Sequence, residues 1–140
     1  MPAVANPYSN QDLFIAAEVS ERMGDLVSRS ERDGGRPFAR QVDAWWIAIG
    51  IGLHLGQRTP LPEKTVKFND GAILATDPWR IAHLELLALS QEGEAILESP
   101  AQVIKIASEY ANTGFGWLIE KLLGEAEPTL TLTNRLSEFV

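Results

Sequence analysis

Residues 44–56 read A-W-W-I-A-I-G-I-G-L-H-L-G, and two periodicities compete for them. At period two, Trp45, Ile47, Ile49, Ile51, Leu53 and Leu55 are large and most of the intervening residues small, which suits a strand. At period four, Ala44, Ala48, Gly52 and Gly56 form a tract of small residues beside a bulky stripe of Val42, Trp46, Ile49 and Leu53. Small residues every fourth position let a neighbouring backbone approach a helix closely. Interior glycines cost a strand side chains packed on both faces, and eleven residues is long for a strand. The spacing therefore predicts a buried central helix over residues 38–55, capped by Gly56.

The glycines also raise the question of a phosphate loop. A dinucleotide fold needs a strand, a glycine turn and then a helix whose N-terminus holds the pyrophosphate. Here Gly56 runs into Gln57-Arg58-Thr59-Pro60-Leu61-Pro62, where two prolines exclude an immediate helix, and no G-x-x-x-x-G-K-[ST] occurs. No nucleotide is expected.

The chain has 140 residues, enough for one domain with a sizeable core. Its 45% hydrophobic content argues against wholesale disorder. The absence of cysteine removes disulfides, thiolate nucleophiles and Cys-ligated zinc. The first seven residues carry neither a basic region nor an apolar core, so no signal peptide is expected. The longest apolar run is too short to span a bilayer. These features predict a soluble, cytoplasmic protein that does not engage a membrane.

A net charge of −7 argues against broad nucleic-acid binding. The charge is uneven. Residues 22–58 hold six arginines against Asp25, Glu31, Asp33 and Asp43, a balance of +2, whereas residues 85–127 hold eight glutamates against Lys105 and Lys121, a balance of −6. One half can face an acidic partner while the other repels it; chance clustering on a solvated surface is the plainer reading.

Around the central segment the signals are mostly helical. Ser9-x-x-Asp12 opens an apolar-periodic stretch in the manner of a capping box, and Gly34-Gly35 ends it. Thr65-Val66-Lys67-Phe68 and Ala72-Ile73-Leu74 flank the turn sequence Asn69-Asp70-Gly71, predicting a small β-hairpin near 65–74. Asp77 is a helix cap ahead of Pro78, and the helix it starts places Trp79, Ala82, His83, Leu86 and Leu87 on one inward stripe. Ser99-Pro100-Ala101-Gln102 repeats the device, with Val103, Ala107, Tyr110 and Ala111 facing inward. Asn112-Thr113-Gly114 punctuates, and Phe115, Leu118, Ile119, Leu122 and Leu123 form the next stripe, ending at Gly124. Beyond Pro128, Thr and Leu alternate. The fold class expected is mainly α: a bundle of about four to five helices over residues 1–124, and a strand-like C-terminal tail over 125–140.

Candidate chemistry is sparse. His54 and His83 are the only histidines; lone histidines on apolar helix faces are usually packed residues, and no H-E-x-x-H pattern supplies a zinc site. Asp43 is either a charge partner for Arg40 or Arg58 or a catalytic acid, the structural role being the commoner. No glutamates form the tight pair of a glycosidase, and no G-x-S-x-G elbow is present. Trp45, Trp46, Trp79 and Trp117 belong to a core, unless one is a surface anchor. No catalytic residue, metal or cofactor is expected. Asp43, Gly52, Gly56, Asp77 and Ser99 are expected to be structural.

The string Phe38…Asp43-Ala44-Trp45-Trp46-x-Ala48-x-x-x-Gly52-x-x-x-Gly56-x-Arg58-x-Pro60-Leu61 resembles the small accessory proteins encoded beside bacterial DNA phosphorothioation (Dnd) restriction systems. Asp77-Pro78-Trp79-Arg80 and Glu109-Tyr110-Ala111-Asn112-x-Gly114 follow the same pattern in order, so the resemblance covers residues 36–124. The chain departs from it in having Val42 where a lysine would precede the aspartate, and in a longer N-terminal helix and C-terminal tail. The resemblance implies a bacterial anti-phage setting and a helper role in a larger complex, with no enzymatic residues to carry over.

Three functions remain open. The first is a non-enzymatic interaction module that docks on a larger protein through its acidic half or its tail, where Leu130 and Leu132 would add to a partner's sheet edge; a homodimer is compatible with it. The second is a DNA-binding protein using Arg29, Arg32, Arg36, Arg40 and Arg58. The third is an enzyme built on Asp43, His54 or His83.

Overall fold

The computed structural model describes residues 6–27, 36–122, 124–125 and 127–139. Its chain order is β1 (Asp12–Ala16), α1 (Ala17–Leu26), α2 (Gln41–Leu55), β2 (Thr65–Asp70), a 3-10 helix (Gly71–Thr76), α3 (Trp79–Glu92), a second 3-10 helix (Glu94–Glu98), α4 (Pro100–Leu122), α5 (Pro128–Leu136) and a terminal 3-10 turn (Ser137–Phe139). The protein is mainly helical, with one small two-stranded antiparallel sheet.

The opening segment is α2, as its period-four pattern requires. Val42, Ala44, Trp45, Ala48, Ile49, Ile51 and Gly52 are buried. The helix starts at Gln41; Phe38, ahead of it, bridges Val27 instead. Gly56 ends it at φ 67°, with Gly56 N–H donating to Leu53 O and Gln57 N–H to Gly52 O, a Schellman closure that only the left-handed conformation allows.

The small tract has a purpose in packing. A Cβ on Gly52 would overlap the carbonyl of Tyr110, and a Cβ on Gly114 would overlap the carbonyl of Ala48. Positions 48 and 52 on α2 thus meet 114 and 110 on α4, so the two helices cross antiparallel at backbone contact. For this reason Asn112-Thr113-Gly114 does not break the chain: α4 runs unbroken from Pro100 to Leu122. Gly114 serves close approach rather than termination. Val103, Ala107, Tyr110, Ala111, Phe115, Leu118 and Leu122 are all buried along it.

The expected hairpin is corrected in its pairing. β2 lies where a strand was predicted, but its partner is β1: Leu13 faces Asn69 and Phe14 faces Lys67 across a bulge. Residues 72–74 belong to a 3-10 helix, because Gly71 sits under the Tyr8 carbonyl with no room for a side chain and donates to Gln11 O at 2.7 Å. β1 likewise replaces the start of the expected N-terminal helix. Leu13 and Ile15 point inward while Asp12 and Phe14 point out, the alternation of a half-buried strand.

Two further expectations change. The stripe of α3 that faces the core is Ile81, Leu84 and Ala88, with Arg80 beside it, while Trp79, Ala82, His83 and Leu86 are exposed. The tail is α5 rather than a strand: Leu132 is buried on its inner side and Leu130 is 54% exposed. Thr-Leu alternation over five residues is outweighed by the spacing of Leu132 and Leu136, one helical turn apart and both turned to the core. α5 therefore offers no free strand edge.

Candidate functional site

α2 and α3 run parallel. At their N-terminal ends Arg40 grips Asp43 through Nη2 at 2.8 Å and Nε at 3.1 Å, and reaches Asp77 Oδ2 at 3.0 Å; Arg80 Nη2 donates to the same Asp43 at 3.0 Å. At their C-terminal ends Arg58 joins Glu92 at 3.5 Å and Glu109 of α4 at 2.6 Å. Asp43 and Asp77 are both held in this ion lattice, and Pro78 rather than Asp77 takes the cap position of α3. Burial raises the affinity of the Asp43 carboxyl for a proton, but hydrogen bonds from Arg40 and then Arg80 outweigh it and hold the group below its ordinary value. Ser99 opens α4 through its carbonyl, which accepts from Gln102 and Val103.

Between those two clamps the helices leave a groove of about 500 Å³. Trp46, Ile49, Gly50 and Leu53 line one wall; His83, Leu86 and Leu87 line the other. Nothing lies within 4 Å of a Cβ built on Gly50, so the α2 wall is flat there. Leu86 is 61% exposed and Trp79 50%. At one end Trp79 stands edge-on to Trp46 at 5.4 Å and to His83 at 5.4 Å. Beneath them lies the buried Arg80 guanidinium, 5.3 Å from the Trp46 ring and 5.1 Å from Trp79. Arg80 Nε and Nη1 have no hydrogen-bond partner among the described residues, and the two indole faces supply part of the missing electrostatic support. Trp45 Nε1 is also buried without an acceptor among the described residues.

The groove provides an apolar surface with one titratable rim residue, His83. His54 packs on Phe139 at 4.4 Å, on another face of α2. Among the described residues no group of three or more His, Asp or Glu is placed to hold a metal ion, and no helix is long and apolar enough to cross a membrane.

Of the expected arginine cluster, Arg40 and Arg58 are not gathered together. Arg40 and Arg58 stand at opposite ends of the 15-residue α2, each held by two carboxylates. Arg36 donates to Val27 O at 3.4 Å. Arg29 and Arg32 lie outside the described residues. Cations already neutralised by neighbours add little attraction for phosphate. The sequence signal for the groove was the α3 stripe itself, which has helical spacing; what spacing alone does not reveal is which side of the helix the core takes.

Set against family models, curated proteins and solved structures, the chain matches none.

Proposed function

We propose that this protein is a non-enzymatic accessory module that docks onto a larger protein partner, and that the α2–α3 groove receives an apolar stripe of a partner helix. The observation that carries this reading is the second apolar stripe of α3. A helix that already buries Ile81, Leu84 and Ala88 also turns Trp79 and Leu86 to solvent beside an open apolar groove. Contiguous exposed apolar surface on a small domain marks an interaction site, and an aromatic anchor such as Trp79 is the residue type on which interfaces concentrate their energy. Because α2 and α3 are parallel, both carboxyl ends and Glu92 lie at the Leu53–Ser90 end, which favours an incoming helix with its N-terminus there. The setting in a bacterial DNA-modification or anti-phage complex follows the resemblance of residues 36–124 and belongs to the same proposal.

The test is co-purification with the products of neighbouring genes, comparing the wild type with Leu86→Glu and with Leu130→Glu as an exposed control away from the groove. The expected result is a larger protein retained by the wild type and by Leu130→Glu but lost by Leu86→Glu. Equal retention by both variants removes the groove from the interface, and an inert monomer without any partner removes the reading itself.

A further inference from the structure

A second groove, of about 370 Å³, lies between α4, β1 and the 57–62 segment. Its apolar floor is Phe14, Leu61 and Ile104, and its polar groups include Lys105 and Ser108. Two carboxylates also border it, Asp12 and Glu109, yet both are taken by cations outside it. Lys67 holds Asp12 at 3.0 Å. Arg58 holds Glu109 through Nη2 at 2.6 Å and Nε at 3.2 Å. Glu109 is the residue four places beyond Lys105 on α4, where a helix would normally pair the two; Arg58 takes it instead. Lys105 is thereby left without a carboxylate partner among the described residues, an uncompensated cation in a chain of net charge −7.

One turn along α4, Ser108 is only 5% exposed and lines the same groove. The 59–60 wall of the groove is tied to α4 by hydrogen bonds. Thr59 N–H donates to Glu109 O at 3.1 Å, Asn112 Nδ2 donates to the carbonyls of Thr59 at 3.2 Å and Pro60 at 3.1 Å, and the Thr59 and Thr113 hydroxyls meet at 2.6 Å.

The geometry points to a binding site for a small carboxylic acid with an apolar body: its carboxylate meets Lys105 and the Ser108 hydroxyl, and its body lies on Phe14, Leu61 and Ile104. The site has the few convergent polar groups over apolar walls that small-molecule pockets show. It is separate from the α2–α3 groove and stands whether or not that groove binds a partner.

The experiment is a titration of the isotopically labelled full-length protein, followed by NMR, with sodium octanoate below its micellar range and with octan-1-ol as the uncharged match. Octanoate is expected to shift the amides of Phe14, Leu61 and Ser108, and to bind roughly ten-fold more tightly than the alcohol, the gain of a charge-assisted contact. Lys105→Met, at an exposed position, is expected to erase that preference while leaving octan-1-ol affinity unchanged; Lys121→Met is expected to keep it. Equal affinity for acid and alcohol overturns the proposal, as does a preference that survives Lys105→Met or shifts confined to Leu53 and Leu86.

Discussion

The Cα of Gly114 lies against the backbone of Ala48, so close that a side-chain carbon there would overlap the Ala48 carbonyl oxygen, carbonyl carbon and Cα. The reciprocal contact, Gly52 on Tyr110, lies one turn away on both helices. This pair of contacts places α4 against α2, and so decides which faces of α2 remain for the groove.

Gly114→Ala is therefore expected to destabilise the fold by about 3 kcal/mol, the upper range for overpacking, because backbone cannot rotate away as a side chain can. Gly116→Ala, two residues on in the same helix, meets nothing within 4 Å. It should stabilise by about 0.5–1 kcal/mol through helix propensity alone. Chemical denaturation of both variants checks the pair; similar effects from the two would mean that the crossing is not tight.

Arg58→Met takes from Glu109, whose side chain is 11% exposed, the guanidinium that holds it, leaving Lys105 one turn away as the nearest replacement on α4. A loss of about 2 kcal/mol at neutral pH is expected, less than for a fully buried pair because Arg58 is itself 31% exposed. Glu109→Gln should cost less, since Arg58 keeps Glu92 and partial contact with water. The double variant should lose less than the sum of the singles. Strict additivity in urea denaturation would show that the contact carries no coupling.

The sequence reading succeeds and fails for identifiable reasons. α2 is legible because small residues recur every fourth position beside a bulky stripe, while its interior glycines and its length make a poor strand. Gly114 misleads because glycine signals both a stop and a close approach, and only the position of Ala48 decides between them. β1 is obscured by brevity: five residues flow directly into α1, and the strand that pairs with them begins at Thr65, far along the chain. The groove residues were legible as a stripe but not as a surface. A spacing of 79, 82, 83, 86 and 87 defines a helix face without saying whether protein or solvent covers it. For Lys105 no sequence signal exists, since its lack of a carboxylate partner depends on Arg58 reaching Glu109 across 51 positions.

Tyr8 is almost wholly buried, and burial, followed by the charge of Glu85, pushes its phenol up from 10.0 to about 12. Between those values the folded protein keeps a proton that the unfolded chain releases, so this contribution is intact below pH 10 and fades as pH rises towards 12. The difference is on the order of 2–3 kcal/mol across that window. Tyr8→Phe keeps the ring and lacks the titration. Its alkaline loss of stability should be shallower than that of the wild type, while the two stay within about 1 kcal/mol at neutral pH. Parallel stability curves from neutral pH to 12 would rule out Tyr8 as the source.

Asp43 titrates in the opposite sense. Its carboxyl is held below the ordinary 3.8 by Arg40 and Arg80, so its contribution is present above that pH and disappears as acid takes it through the depressed value. Arg80, 7% exposed, depends on the same carboxylate, because its single hydrogen-bonded nitrogen donates to Asp43. Asp43→Asn keeps the shape but removes the countercharge, leaving Arg80 with Asp77 at 3.7 Å and the two indole faces. A loss of about 2 kcal/mol at neutral pH is expected, moderated by those remaining contacts. The variant should also lose less stability than the wild type on acidification below pH 3.8. Trp46 and Trp79 stack on the same guanidinium, so their fluorescence should report the disturbance at the groove before global unfolding. Unchanged fluorescence together with unchanged neutral stability would mean that Asp43 does not anchor Arg80.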